Sequence, residues 1–127
     1  MSRFQRALAS LVAAIFMVST ASAHHSAADF DFSKSKTTRG VVKEFNVANP
    51  HTHATITVRD ANGTHDVTFE GVAASLFYRV GYTRGMVQPG DSITVIYAPR
   101  RDGAEGGQIV GLITAKGQQV ILRLPGR

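Results

Sequence analysis

The sequence predicts a mainly β protein, a small OB-like β-barrel of five to six strands with one short helix. Two observations predict this class. Short runs rich in Val, Ile, Thr and aromatic residues recur along the chain between Gly, Pro, Asn and Asp, a pattern typical of strands joined by turns. A single stretch shows helical spacing of its apolar residues, and it lies between the third and fourth of these runs.

The first strand is predicted over residues 38–47, TRGVVKEFNV, because β-branched residues are frequent in it. It ends before the turn NPH at residues 49–51, where proline fixes its own φ and biases the preceding residue away from the helical region. The polar segment at residues 24–36 has Phe30 and Phe32 as its only large apolar residues. We therefore expect an extended arm that docks onto the barrel through these two rings.

The second and third strands are predicted at residues 53–60 and 64–70, on either side of Asn62 and Gly63. Asn-Gly is the strongest signal for a type I′ turn, in which both central residues have positive φ. Pairing across that turn gives one apolar and one polar face, as a correct register should. The expected pairs are Arg59–Asp66, Thr57–Thr68 and Thr55–Glu70 on the polar face, and Val58–Val67 and Ile56–Phe69 on the apolar face.

Residues 72–81 are predicted to form the short helix. Leu76, Phe77 and Val80 have helical spacing, and Gly81 is suited to close the helix at its C-terminus. The remaining strands are predicted at residues 92–98, 108–114 and 118–124, and the barrel domain as a whole at residues 37–127.

Residues 1–23 are predicted to be a signal peptide. Two arginines precede an apolar run at residues 7–18, which is shorter than the roughly 20 residues needed to span a bilayer. The tripeptide ASA at residues 21–23 matches the pattern that a signal peptidase cleaves. We expect export by the general secretion route, cleavage after Ala23, and a periplasmic protein without a stable membrane anchor.

Composition excludes several classes of function. The full chain of 127 residues has a formal charge of +5, and removal of the two arginines in the signal peptide lowers this to +3. So small a charge does not favour a nucleic-acid partner. The chain has no cysteine, which excludes thiolate metal sites and cysteine nucleophiles. No serine or carboxylate pair lies in a recognisable catalytic motif, so we do not expect an enzyme.

Five histidines remain as candidates for chemistry. Cleavage would make His24 the first residue, followed by His25, and an N-terminal histidine offers its α-amine (pKa about 8) and its ring to one metal ion. A third nitrogen from His51 or His53 would complete a planar set suited to copper(II), which prefers tetragonal nitrogen and oxygen ligands. Zinc is the competitor, with a tetrahedral set that uses Glu70 as an oxygen ligand.

His51 and His53 are expected on the polar face because side chains alternate along a strand, with Glu70 diagonal to His53. His65 is predicted to be a surface residue outside the site, roughly 30 to 40 Å from His51 at about 3.3 Å per residue. The alternative for each histidine pair is a set of solvated rings without a ligand. The predicted metal ligands are His24, His25, His51, His53 and Glu70, and no catalytic or other cofactor-binding residue is predicted.

Five segments of the chain also carry a family resemblance. They are AHHSAADFDFSK, GVVKEFNVANPH, FEG, GYTRGMVQPGD and APRRDG, and the resemblance that rests on them covers nearly all of residues 24–127. In these segments the chain resembles a family of small exported bacterial proteins known only as a domain of unknown function. The resemblance implies an OB-like barrel in the periplasm and no established activity.

Two functions therefore compete. The first is a periplasmic copper(II) carrier or buffer, with the metal ion and a periplasmic protein as its partners. The second is a non-metal binding module that uses the barrel for a small ligand, a glycan or a partner protein, as OB barrels often do.

Overall fold

The computed structural model describes residues 27–123, and in them six strands and a short helix follow one another in the predicted order. Residues 1–26, which contain the predicted signal peptide, His24 and His25, lie outside the described residues. Among residues 27–123, no helix has the length and apolar character needed to cross a membrane. The elements are β1 (Lys36–Asn46), β2 (Thr52–Asp60), β3 (Gly63–Gly71), α1 (Ala74–Arg79), β4 (Ser92–Pro99), β5 (Gly107–Ile113) and β6 (Gln119–Ile121).

The sheet closes on itself. Strands lie in the order β3-β2-β1-β4-β5-β6, and an additional parallel contact joins β3 to β5 through the pairs Phe69–Gly107 and Glu70–Gln108. The other neighbouring pairs are antiparallel. Five strands thus form a closed barrel, and β6 extends it beside β5. The predicted class, a small OB-like β-barrel with one short helix, is confirmed.

Alternation along the strands builds the core. In β2 the side chains of Ala54, Ile56 and Val58 are buried, whereas the residues between them are exposed or half-buried. This period of two turns one face of the strand to the barrel interior and leaves the other to solvent. The interior is completed by Val42 of β1, Val67 and Phe69 of β3, Ile93 and Val95 of β4, Ile109 and Leu112 of β5, Val120 of β6 and Phe77 of α1.

The β2–β3 turn differs from the predicted type I′ turn. The last strand pair is Asp60–Gly63, so the turn residues are Ala61 and Asn62. Asn62 does not have a positive φ, whereas Gly63 has a φ of 100°. The positive φ therefore falls after the turn, as in a type I turn followed by a glycine bulge. The carboxylate of Asp60 supports this turn by accepting a hydrogen bond of 2.8 Å from the Asn62 amide.

The predicted register of this hairpin is wrong by two residues as a consequence. A shift of two leaves every side chain on its predicted face, whereas a shift of one would have reversed both faces. The apolar and polar faces are therefore as expected, but the partners across the strands are not. The observed pairs are Arg59–Thr64, Thr57–Asp66, Thr55–Thr68 and His53–Glu70 on the polar face, and Val58–His65, Ile56–Val67 and Ala54–Phe69 on the other.

The helix α1 ends in the glycine cap that the sequence predicts. Gly81 has a φ of 100°, its amide donates to the Tyr78 carbonyl, and the Tyr82 amide donates to the Phe77 carbonyl at 3.0 Å. These two bonds are those of a Schellman motif, which satisfies carbonyls left open at a helix end. The rings of Phe77 and Tyr82 also pack edge to face, with centroids 5.6 Å apart, and this contact anchors the helix on the core.

The segment before β1 docks onto the barrel through its two phenylalanines. Phe30 is 2% exposed and packs with Ala98 and Val110. Its backbone continues the sheet, because it forms a bridge with Arg100 and the next amide, that of Asp31, donates to the Pro99 carbonyl at 2.8 Å. Phe32 lies against Phe30 and under the guanidinium of Arg123. The described part of the arm is thus fixed to β4 and to the chain that follows it.

Candidate functional site

The described residues of the predicted metal site lie at one end of β2 and β3. His51 is half-buried in the turn immediately before β2, and His53 is exposed within β2. Glu70 is half-buried in β3 and lies directly opposite His53, rather than diagonal to it as predicted. The correction follows from the shifted hairpin register, and it brings a nitrogen ligand and an oxygen ligand onto neighbouring positions.

These three residues do not complete a metal site by themselves. Within residues 27–123, the ligand atoms of His51, His53 and Glu70 do not form a group of three that lie within 4.8 Å of one another. The predicted site depends on His24 and His25, which lie outside the described residues. The predicted copper or zinc site therefore stays a prediction.

A cleft of about 310 Å³ lies between the docked arm and Glu70. Phe30 of the arm and Glu70 of β3 both line it, together with Arg100 and Glu105. The pKa of Arg100 is raised, first by its hydrogen bond to Asp102 and then by the charge of that carboxylate, with further contributions from the charges of Asp29 and Glu70. The described start of the arm and Glu70 are thus close to the same guanidinium.

A second group of metal-ligand side chains surrounds His65. The ring Nε2 of His65 lies 2.7 Å from Oε1 of Glu105 and 4.0 Å from Oδ2 of Asp60. Ligand atoms of the three residues all lie within 4.8 Å of one another, and in the part of the chain that the structure describes no other group of three does so. The hydrogen bond to Glu105 is the main cause that raises the pKa of His65, with smaller contributions from the charges of Glu105 and Asp60.

Hydrogen bonds and close packing hold the backbone around Asp60 and Glu105. Asp60 ends β2, and its Oδ1 is bound to the Asn62 amide, so that Oδ2 is the oxygen that faces His65. Glu105 belongs to the loop between β4 and β5, in which Oδ1 of Asp102 accepts a hydrogen bond of 2.9 Å from the Ala104 amide. Gly106 then packs so closely on the Thr68 carbonyl that a side chain there would collide with it.

Sequence reasoning missed this group. His65 is only half-buried, in agreement with the predicted surface position, but it is not an isolated residue. The sequence contained a signal for two of its members, because the predicted hairpin places both Asp60 and His65 near its turn. Glu105 carried none, because it is 40 residues away from His65 along the chain and comes beside it only through closure of the barrel.

Two further clefts lie away from the histidines. One, of about 460 Å³, lies between residues 83–91 and 115–118 and includes Arg84 and Lys116 in its lining. The other, of about 180 Å³, is lined by aromatic rings, among them Tyr78 and Tyr82, and it shares Arg84 with the first. Cationic and aromatic groups side by side could contact a small anionic ligand with an apolar face.

The closed five-stranded sheet, with a helix between β3 and β4, defines the chain as an OB-like β-barrel protein. The chain belongs to the family described as "Family of unknown function (DUF6152)", whose sequence profile matches residues 12–109. This family assignment agrees with the resemblance in that both point to a family of unknown function, and it carries no activity with it.

Solved structures with a similar backbone belong to different proteins. The mitochondrial single-stranded DNA binding protein Rim1 of S. cerevisiae is 12% identical, with a TM-score of 0.48, and the match covers 68% of this chain and 94% of that one. Apo TiaS, a tRNA agmatidine synthetase, is 17% identical, with a TM-score of 0.42, and the match covers 62% of this chain and 17% of that one. No curated protein sequence matches the chain significantly.

Proposed function

We propose that the protein is a periplasmic copper(II)-binding protein that acts as a carrier or buffer of the ion. The α-amine and ring of His24 are the primary ligands, joined by His51 and by His25 or His53. Three nitrogens of this kind favour copper(II) over other common divalent ions. Zinc bound at the same place would use Glu70 as an oxygen ligand.

The docked arm is the observation that carries this proposal. Phe30 is buried against the barrel and lines the same cleft as Glu70. His24 precedes Ala27, the first described residue, by three positions, and three extended residues span about 10 Å. The reach of His24 from the docked part of the arm is therefore short, which supports a site on this side of the barrel.

The pairing of His53 with Glu70 supports the proposal independently. Directly opposite residues on antiparallel strands have Cβ atoms about 5 Å apart, and one metal ion can bridge such a pair. His53 is exposed and Glu70 is half-buried, so a metal ion can reach both from solvent. They offer barrel ligands to an ion that the N-terminal amine has already bound.

A copper(II) titration by calorimetry tests the proposal. The secreted protein with His24 at its free terminus is compared with a copy that carries one additional N-terminal residue, which removes the chelate of amine and ring. We expect one tightly bound copper ion in the first and a loss of affinity of at least about 100-fold in the second. His51→Ala should also weaken binding, whereas Glu44→Gln, a change at an exposed carboxylate of β1 outside both groups of candidate ligands, serves as the control.

Equal and weak copper binding by both copies would overturn the proposal. The alternative function, a non-metal OB-type module for a small ligand, a glycan or a partner protein, would then take its place. The adjoining clefts that share Arg84 are the feature that favours this alternative, because they combine cationic and aromatic groups.

A further inference from the structure

The surroundings of His65 contain more carboxylate than one imidazole can satisfy. A single ring nitrogen, Nε2, faces both Glu105 and Asp60. Its contact of 2.7 Å with Glu105 is a hydrogen bond, whereas Oδ2 of Asp60, at 4.0 Å, lies beyond hydrogen-bonding distance. The ring therefore serves one carboxylate and leaves the second without a donor from the imidazole.

The charges of these three side chains also favour a bound cation. Three other carboxylates pair with a lysine or arginine, namely Asp31 with Lys34, Asp66 with Lys43 and Asp102 with Arg100. Among residues 27–123, the ion pairs of Asp60 and Glu105 involve His65 alone. With a neutral ring the group carries two negative charges, and with a protonated ring it still carries one. A divalent cation would neutralise the negative charge that the imidazole leaves.

The ligand types define the class of cation. One imidazole nitrogen with two carboxylate oxygens is a donor set that zinc accepts, with water in the fourth position. Ligands at about 2.0–2.2 Å from a tetrahedral zinc ion lie about 3.4 Å from one another. The contact of His65 with Glu105 would have to open from 2.7 Å and that with Asp60 would have to close from 4.0 Å, each by less than about 1 Å. Side-chain rotations alone can supply such movements.

We propose that Asp60, His65 and Glu105 form a second metal site, which binds a zinc-like divalent cation. It is separate from the proposed copper site, because it needs neither the free N-terminus nor His51. The three residues come from the end of β2, from β3 and from the loop between β4 and β5, so the bound ion links the hairpin to that loop. All three are partly or fully exposed, which gives the ion an open path from solvent.

The test is a titration with zinc ion alone, on the folded protein that carries one additional N-terminal residue. The extension removes the amine chelate of His24 and thus the proposed copper site. We expect one zinc ion to bind, with the affinity reduced at least about 10- to 100-fold by His65→Ala and by Glu105→Gln. The matched control is Glu44→Gln, a change at an exposed carboxylate on β1, which should bind zinc within about twofold of the parent.

A second measurement locates the ion. In heteronuclear NMR spectra, zinc should shift the ring signals of His65 and the amide signals near Asp60 and Glu105, while those of His51 and His53 stay unchanged. Circular dichroism of each variant verifies that it is folded. Zinc affinity that is unaffected by His65→Ala and Glu105→Gln, or the absence of zinc binding in the parent, would overturn this inference. Copper binding at the free terminus would be untouched by either result, so the two proposals fail separately.

Discussion

The carboxylate of Asp66 illustrates how a single side chain finds its partner in the folded barrel. The sequence predicts Arg59 as its cation, across the hairpin. In the structure the ammonium of Lys43, from β1, lies 2.6 Å from Oδ2, and the Thr57 hydroxyl donates to Oδ1 at 2.8 Å. The hydrogen bond from Lys43 is the largest cause that lowers the pKa of Asp66, followed by the hydrogen bond from Thr57. The partner thus comes from the strand that flanks the hairpin.

Replacement of Lys43 by methionine should raise the pKa of Asp66 towards its ordinary value. Because the pKa in the folded state is lowered, the stabilisation is complete above the unfolded value of about 3.9 and is lost as the pH falls through the folded value. Lys43→Met should therefore weaken the dependence of unfolding free energy on pH in this acidic range. A carbon-detected NMR titration of the Asp66 carboxyl group measures the shift directly.

Lys34→Met is the matched control for this variant. Lys34 pairs with Asp31 at 3.4 Å, in the arm, and has no part in the environment of Asp66. It should leave the titration of Asp66 unchanged. An Asp66 pKa that is the same in the parent and in Lys43→Met would contradict the assignment of Lys43 as its principal partner.

At the scale of the elements, most of the fold could be predicted. Runs rich in Val, Ile, Thr and aromatic residues between turn residues located the strands to within one or two residues, except for the final strand, of which only Gln119–Ile121 forms β6. Helical spacing and Gly81 located α1. The hairpin register could not be fixed in this way, because Asn-Gly also suits a turn in which only the glycine has positive φ. A local pattern thus determines which face a residue occupies, whereas turn geometry determines its partner.

The two turn types predict opposite roles for Asn62, and substitution separates them. In the observed turn only Gly63 has positive φ, and a Cβ atom there would meet nothing within 4 Å. Gly63→Ala should therefore lose roughly 1–2 kcal/mol of unfolding free energy through backbone strain alone. Asn62→Ala should lose much less, because its amide donates to Asp60 through the backbone and its φ is not positive. Urea unfolding of both variants measures the difference, and equal losses would favour the type I′ turn.

At the scale of the whole molecule, barrel closure determines which distant residues meet. Neighbouring strands of the hairpin brought His53 and Glu70 to one face, and that part of the candidate site was predictable from alternation. The burial of Phe30 was predictable from its isolation in a polar arm. The approach of Glu105 to His65 could not be predicted. It depends on the parallel contact between β3 and β5, which joins segments far apart in the chain. No local pattern encodes such a contact.

At Gly106 the loop between β4 and β5 approaches β3 closely, and Gly103 in the same loop provides the control for a substitution there. Both lie in the loop between β4 and β5 with positive φ, 88° and 77°, so alanine at either position is strained by roughly 1–2 kcal/mol. A Cβ atom at Gly103 would meet nothing within 4 Å, whereas one at Gly106 would collide with the Thr68 carbonyl of β3.

Gly106→Ala should therefore lose about 1–3 kcal/mol more unfolding free energy than Gly103→Ala, which urea unfolding measures. Because Glu105 precedes Gly106, the same displacement should move its carboxylate away from His65 and weaken the proposed zinc binding, while Gly103→Ala leaves zinc binding intact. Equal losses of stability in the two variants would show that the loop does not need its close approach to β3. Unchanged zinc affinity in Gly106→Ala would show that Glu105 reaches His65 without it.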